Sequence, residues 1–269
     1  MRPMDFRGRW VLVTGASSGL GRAMAQQLAR EHGAHVIAVA RRTERLEELR
    51  HELKSTGVEL EPVTADLAKP DDVVRVIARA NERQAHAAVL NAGVTHFGAF
   101  QEQRWEDFES MLSTNVTSVV RMTTELLKPM EQRNDGGGIM LVASMAGLLP
   151  VPYQTTYSAT KAFLVHYGCG LSHELRGRQL SITTYAPGGI DTEMTSGERF
   201  ARLRAWTMPV ETAARLGLDA FRRREELYVP GVTNRIGAAL AKVLPRRLVT
   251  AQVGSAYRRA LDAARTRAH

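Results

Sequence analysis

From Trp10 to about residue 230, short apolar runs of strand length alternate with stretches of helical periodicity. The runs are RWVLVTG, AHVIAVA, VELEPVT, HAAVLNAG, GGIMLVAS, LSITTYAP and ELYVPG. Between them the periodicity predicts helices over 19–32, 43–55, from Pro70, over 105–132 and 155–176, and from Pro209. Apolar strands that alternate with helices must be covered on both faces. The expected fold is therefore α/β, a doubly wound, seven-stranded, mostly parallel sheet with helices on either side. Ligands of such sheets sit beyond the carboxyl ends of the strands. No repeat, low-complexity tract or linker interrupts the pattern. Residues 1–230 read as one catalytic and dinucleotide-binding domain, and 231–269 as a basic helical extension packed on it.

The bulk properties narrow the setting. A chain of 269 residues, 44% hydrophobic and 24% charged, is ordinary for a soluble globular protein. A single cysteine, Cys169, excludes an internal disulfide and points to a reducing, cytoplasmic compartment. The first ten residues lack an apolar leader, and no run approaches the roughly 18 apolar residues of a membrane span. The net charge is +8, and it is uneven: residues 196–269 hold fifteen Lys/Arg against six Asp/Glu. A basic end of this kind suits nucleic acid, an anionic membrane surface or an acidic substrate, or is simply a solvated face. Nothing interleaves its basic residues with aromatics, which argues against nucleic acid.

The sequence TGASSGLG, residues 14–21, closes the first strand and opens the first helix. Gly15, Gly19 and Gly21 let the backbone come close to a ligand, and the free N–H groups of a helix start attract an anion. Many glycine-rich strand–helix turns bind nothing, so the motif alone is moderate support. The second strand ends at Ala40, where an acidic residue would hold a ribose 2′-hydroxyl, and Arg41 and Arg42 follow. Cations are disfavoured at a helix start, so an anion such as the 2′-phosphate of NADP is expected nearby. Pairing with Glu44, Glu47 or Glu48 is the alternative.

Tyr157 and Lys161 in YSATK stand four apart and share a helix face. Bringing a tyrosine from its ordinary pKa towards neutrality takes about 4 kcal/mol. A cation at about 4 Å supplies that order of energy in an effective dielectric of about 20. Such a pair by itself is more often surface decoration. Ser144 ends the fifth strand and can hydrogen-bond a substrate carbonyl, or can cap a turn. Asn115 falls inside a predicted helix that asparagine disfavours, marking a local distortion or an exposed side chain.

Taken together, TGASSGLG, the Asp66–Leu67 pair, Asn91–Ala92–Gly93, Asn115, Ser144, YSATK and PGGIDT resemble the short-chain dehydrogenase/reductase family over about residues 8–230. The glycine spacing resembles its compact, single-domain branch. The resemblance implies a Rossmann fold that binds NAD(P), with Tyr157 as general acid/base. It implies that Lys161 holds the nicotinamide ribose and lowers the Tyr157 pKa, that Ser144 orients the carbonyl, and that Asn115 positions a water. Cofactor contacts are implied for Gly15, Ser17, Ser18, Gly19, Leu20 and Gly21, for Arg41 and Arg42, and for Asp66 and Leu67. They are also implied for Asn91, Ala92 and Gly93, for Tyr157 and Lys161, and for Pro187, Gly188, Ile190 and Thr192. Arg41 and Arg42 match basic positions of NADP-preferring members, so NADP(H) is expected over NAD(H). Leu90, Ser118 and the lack of a basic residue in the glycine loop depart from common family patterns.

The expected activity is reduction of a lipophilic ketone or aldehyde, with a 3-oxoacyl thioester reductase as the runner-up. An NADP-binding regulator or scaffold is the reading from another class. The stretch after the sixth strand mixes Met194, Phe200, Trp206 and Met208 with Arg199, Arg202 and Arg204. It suits a lipophilic or an acidic substrate, or packs on the domain with its arginines in water. The tail reads as two helices broken at Pro245, with Ile236, Leu240, Val243 and Leu244 in one apolar stripe and Leu248, Val249 and Val253 beginning another. Packing on protein is favoured for it over weak contact with a membrane surface. A homodimer or homotetramer through the 105–132 and 155–176 helices is expected. No metal site is expected.

Overall fold

The structure is a computed structural model that describes residues 2–196 and 207–267. The strands are β1 (Trp10–Thr14), β2 (His35–Ala40), β3 (Leu60–Thr64), β4 (Ala87–Leu90), β5 (Gly138–Val142), β6 (Ser181–Tyr185) and β7 (Leu227–Tyr228). They form one sheet in the order β3-β2-β1-β4-β5-β6-β7, and every neighbouring pair is parallel. The helices are α1 (Gly19–Arg30), α2 (Thr43–Leu53), α3 (Pro70–Glu82), α4 (Trp105–Leu112), α5 (Ser118–Arg133), α6 (Thr155–Glu174), α7 (Val210–Arg222), α8 (Val232–Val243) and α9 (Arg246–Arg267).

Side-chain alternation along the strands divides the core in two. Val11 and Val13 of β1 pack with Leu28 of α1 and Phe221 of α7 on one face. Leu12 packs with Val76 of α3, Leu126 of α5 and Leu164 of α6 on the other. Chain order reverses at β1, which lies between β2 and β4. The loops after β1 and β4 therefore part to opposite faces and leave a crevice at their carboxyl ends.

The helix expected over 105–132 is divided. Residues Ser113–Thr117 form a π-helical turn between α4 and α5. Asn115 sits within it and is fully buried, not exposed. The break before α9 falls at Pro245, and Leu244 is extended (φ −78°, ψ 147°), as a residue before proline tends to be.

Candidate active site

The crevice holds two adjoining spaces. The first is a cleft of about 620 Å³ that runs from the glycine loop past the ends of β2 and β3 to the loop after β4. Gly15 (φ +71°) and Gly19 (φ +53°) adopt left-handed backbone that L side chains rarely take. Gly21 packs so tightly that a Cβ there would meet the Gly15 carbonyl and the Asn91 amide. Ser18, the N-cap of α1, makes no capping hydrogen bond with its side chain, and the first turn carries no acidic residue. The helix start thus presents N–H groups without a side-chain acceptor, which fits a pyrophosphate.

Thr14 fastens this loop to the next one. Its hydroxyl accepts from the backbone N–H of both Asn91 and Ala92 at 3.0 Å, and the Asn91 amide donates to the Thr14 carbonyl at 3.0 Å. Asp66 and Leu67 line the cleft beyond β3, where Asp66 Oδ1 accepts from Ala68 N–H at 3.1 Å.

At the end of β2, the Arg42 guanidinium spans the cleft mouth. It donates to Ser18 Oγ at 2.8 Å and Ser17 Oγ at 3.2 Å. It also pairs with Glu193 at 3.1 Å, not with Glu44, Glu47 or Glu48. Glu193 lies in a short segment that Thr192 and Thr195 close with a reciprocal capping box. Arg41 lines the same cleft and makes no ion pair among the described residues.

The second space, about 500 Å³, opens beside the first and shares Asn91, Gly93, Thr95 and Thr192 with it. Leu20, Pro187, Gly188 and Ile190 line this space rather than the cleft. Tyr157 lies in the first turn of α6 and lines this space together with Ser144, at the end of β5. Ser144 also caps the short turn that follows it, accepting from Ala146 N–H at 3.1 Å. The turn-capping reading of that serine therefore holds, and Ser144 also faces the cavity.

Lys161, one turn further along α6, is buried and donates to the Val142 carbonyl at 2.8 Å. Its Nζ stands 5.7 Å from the centre of the Tyr157 ring. A Cβ on Gly93 would lie 3.4 Å from Lys161 Nζ and 3.3 Å from Asn115 Oδ1, so the glycine backbone passes close to both side chains. Asn115 clamps the loop after β4: its Oδ1 accepts from Val94 N–H and its Nδ2 donates to the Val94 carbonyl, each at 2.9 Å. Nδ2 also donates to Thr160 Oγ1 at 3.0 Å. Both amide protons of Asn115 are thereby engaged.

Burial governs the ionisation of the pair. It pushes the Tyr157 phenol up to about 12, and the nearby Ser144 hydroxyl opposes this only in part. It pushes the Lys161 ammonium down to about 8. Tyr257 across the cavity adds to the rise, and the Lys161 ammonium, turned to the Val142 carbonyl, does not offset it. Both shifts favour the uncharged form of each group.

The extension reaches the second space. Asn234 of α8 and Val253 and Tyr257 of α9 line it. Tyr257 meets Phe97 edge-on at 5.2 Å, and Ala260 and Leu261 are buried with Phe97. Nothing in the residue spacing marked Thr14, Glu193 or Tyr257. Each acts through a partner remote in sequence. Met208 packs against the core, whereas Arg199, Phe200, Arg202, Arg204, Trp206 and the Met194 side chain lie outside the described residues.

Comparison with known proteins agrees with this geometry. The family model described as short chain dehydrogenase matches residues 9–202. An uncharacterized oxidoreductase of Myxococcus xanthus is 35% identical over 247 residues, covering 90% of this chain and 95% of that one. The 3-oxoacyl-[acyl-carrier-protein] reductase FabG of Escherichia coli is 32% identical over 192 residues, covering 71% and 78%. A short-chain dehydrogenase from Sphingobium yanoikuyae, solved with NADPH, superimposes with a TM-score of 0.76 at 29% identity, covering 88% of this chain and 96% of that one.

Proposed function

We propose that this chain, which belongs to the short chain dehydrogenase family, is an NADPH-dependent reductase of a lipophilic ketone or aldehyde. The observation that carries the reading is that Ser144 and Tyr157 line one apolar cavity together, with buried Lys161 one turn along α6. The adjoining cleft carries Arg42 and Arg41 where an acidic residue would favour NAD.

The residues fit a dinucleotide, and when bound it supplies the hydride. The N–H groups at the start of α1 hold the pyrophosphate, and Arg42 and Arg41 hold the 2′-phosphate. Asp66 and Leu67 flank the adenine. Asn91, Ala92 and Gly93 lie along the sugar, and Pro187, Gly188, Ile190 and Thr192 border the nicotinamide. Lys161 donates to the ribose hydroxyls. Ser144 and Tyr157 donate to the carbonyl oxygen, and Tyr157 passes its proton to the alkoxide as charge develops there. Val142, Leu149, Val151 and Val253 keep water from the carbonyl.

NADPH oxidation followed by absorbance against a panel of aliphatic and aromatic ketones and aldehydes tests the reading. NADPH binding without turnover of any of them overturns it. A second reading, reduction of a 3-oxoacyl thioester, has support in the likeness to the Escherichia coli reductase. It requires carrier-linked thioesters to be reduced far better than free ketones. We read the enzyme further as a cytoplasmic homodimer or homotetramer. Exposed Trp105 and Leu112 of α4 and Phe163 of α6 support contact between copies, and light scattering after gel filtration checks it.

Two further results are expected. The reductive rate falls as pH rises through about 8, because the Lys161 ammonium is present below that value and lost above it. A pH profile of kcat/KM reads this. Glu193→Gln tightens NADPH several-fold and leaves NADH unchanged, since it frees Arg42 from a competing carboxylate. The pair is half exposed, so screening keeps the gain to roughly fivefold at most. Fluorescence titration with both cofactors measures it.

A further inference from the structure

The outer face of the C-terminal extension has no partner among the described residues. Ile236 (55% exposed), Leu240 (49%) and Val243 (78%) run along α8 with Val232, and Leu248 (60%) continues the apolar surface at the start of α9. Spacings of four, four and three residues put Val232, Ile236, Leu240 and Val243 in one stripe. The face of α8 that meets the domain is the opposite one. Asn234 sits against Gly188, where a Cβ would lie 2.8 Å from its amide, and Ala238 is buried one turn on. The helix α8 therefore packs on the domain through small and polar residues and leaves its large apolar ones in water.

Charge indicates what covers them. From Leu227 to Leu261 the sequence has six Lys/Arg and no Asp or Glu. Arg235, Arg246 and Arg247 are exposed next to the stripe. A second copy seated on this face by a two-fold axis would set these arginines against their own counterparts with no carboxylate from the same stretch between them. An apolar stripe flanked only by cations matches an anionic lipid surface, where the apolar side chains enter the headgroup boundary and the arginines meet the phosphates. Among the described residues no helix is long and apolar enough to cross a membrane, which leaves contact in the plane of the surface.

We propose that α8 and the start of α9 dock this enzyme on anionic membranes through Ile236, Leu240, Val243 and Leu248, with Arg235, Arg246 and Arg247 at the headgroups. Asn234, Val253 and Tyr257 of the same two helices line the inner cavity. Docking thus holds the wall of the cavity against the phase in which a lipophilic carbonyl compound concentrates.

The test is co-sedimentation of the full chain, with NADPH present, with vesicles of phosphatidylcholine alone or with added phosphatidylglycerol. At low salt, binding to the anionic vesicles is expected to be at least about tenfold stronger than to neutral ones, and high salt is expected to release it. Ile236→Glu with Leu240→Glu, and separately Arg246→Glu with Arg247→Glu, are expected to abolish binding while NADPH affinity and melting temperature stay as in the parent protein. Failure to bind anionic vesicles at low salt overturns the proposal, as does binding that neither double variant reduces. Loss of an oligomer in the Ile236/Leu240 variant without any vesicle binding by the parent assigns the face to a second copy instead. NADPH affinity, read in the same samples, separates failure of this proposal from failure of the reductase reading.

Discussion

Replacing Tyr157 with Phe is expected to lower kcat for NADPH-dependent carbonyl reduction by about 10³-fold, the scale of losing a positioned general acid. NADPH affinity should stay within about twofold, because the ring and its contact with Lys161 remain. The substitution removes one hydroxyl from a half-buried ring that lines the cavity beside Ser144. Ser144 keeps its bond to Ala146 N–H, so the stability cost should be near 1 kcal/mol and the protein should remain folded. Single-turnover measurements at saturating NADPH separate the chemical step from binding. A variant that retained more than about a tenth of the parent rate would show that another group delivers the proton, since such a donor normally contributes at least about 10²-fold.

The second large effect is on cofactor choice. Arg42→Ala is expected to weaken NADPH by about 30- to 100-fold, the worth of about 2–3 kcal/mol in charge-assisted hydrogen bonds. NADH should change little, because a ribose hydroxyl draws little from that guanidinium. Arg42 already bridges Ser17 and Ser18 of the glycine loop, so part of the loss should come from a loosened loop and appear with both cofactors. The ratio of the two dissociation constants isolates the phosphate contact. Equal weakening of NADPH and NADH would assign Arg42 to holding the loop alone.

Much of the architecture was legible in the chain because it rests on local rules. Strand and helix periods, glycines at positive φ in the loop after β1, and the four-residue spacing of Tyr157 and Lys161 each act over a few residues. Asn115 was legible as a disturbance, since its side chain competes with a helix backbone. That the result is a π-helical turn was not, because Val94 and Thr160, which engage its amide, come from other elements. Arg42 was legible as a cation at a helix start, yet its partner is Glu193, distant in the chain. The nearer Glu44, Glu47 and Glu48 do not pair with it.

The sequence by itself determined the doubly wound parallel sheet, the place of the crevice and the residue types gathered at its rim. Periodicity and backbone conformation depend on neighbours a few positions away. Tertiary structure alone decided the ionisation of the site, through burial that raises Tyr157 and lowers Lys161. It also decided which face of α8 meets the domain. The sequence marks Ile236, Leu240 and Val243 as an apolar stripe, but Gly188 leaves room for Asn234 on the other side. Burial and packing depend on the shape of surfaces brought together from remote parts of the chain, and no local pattern encodes that shape.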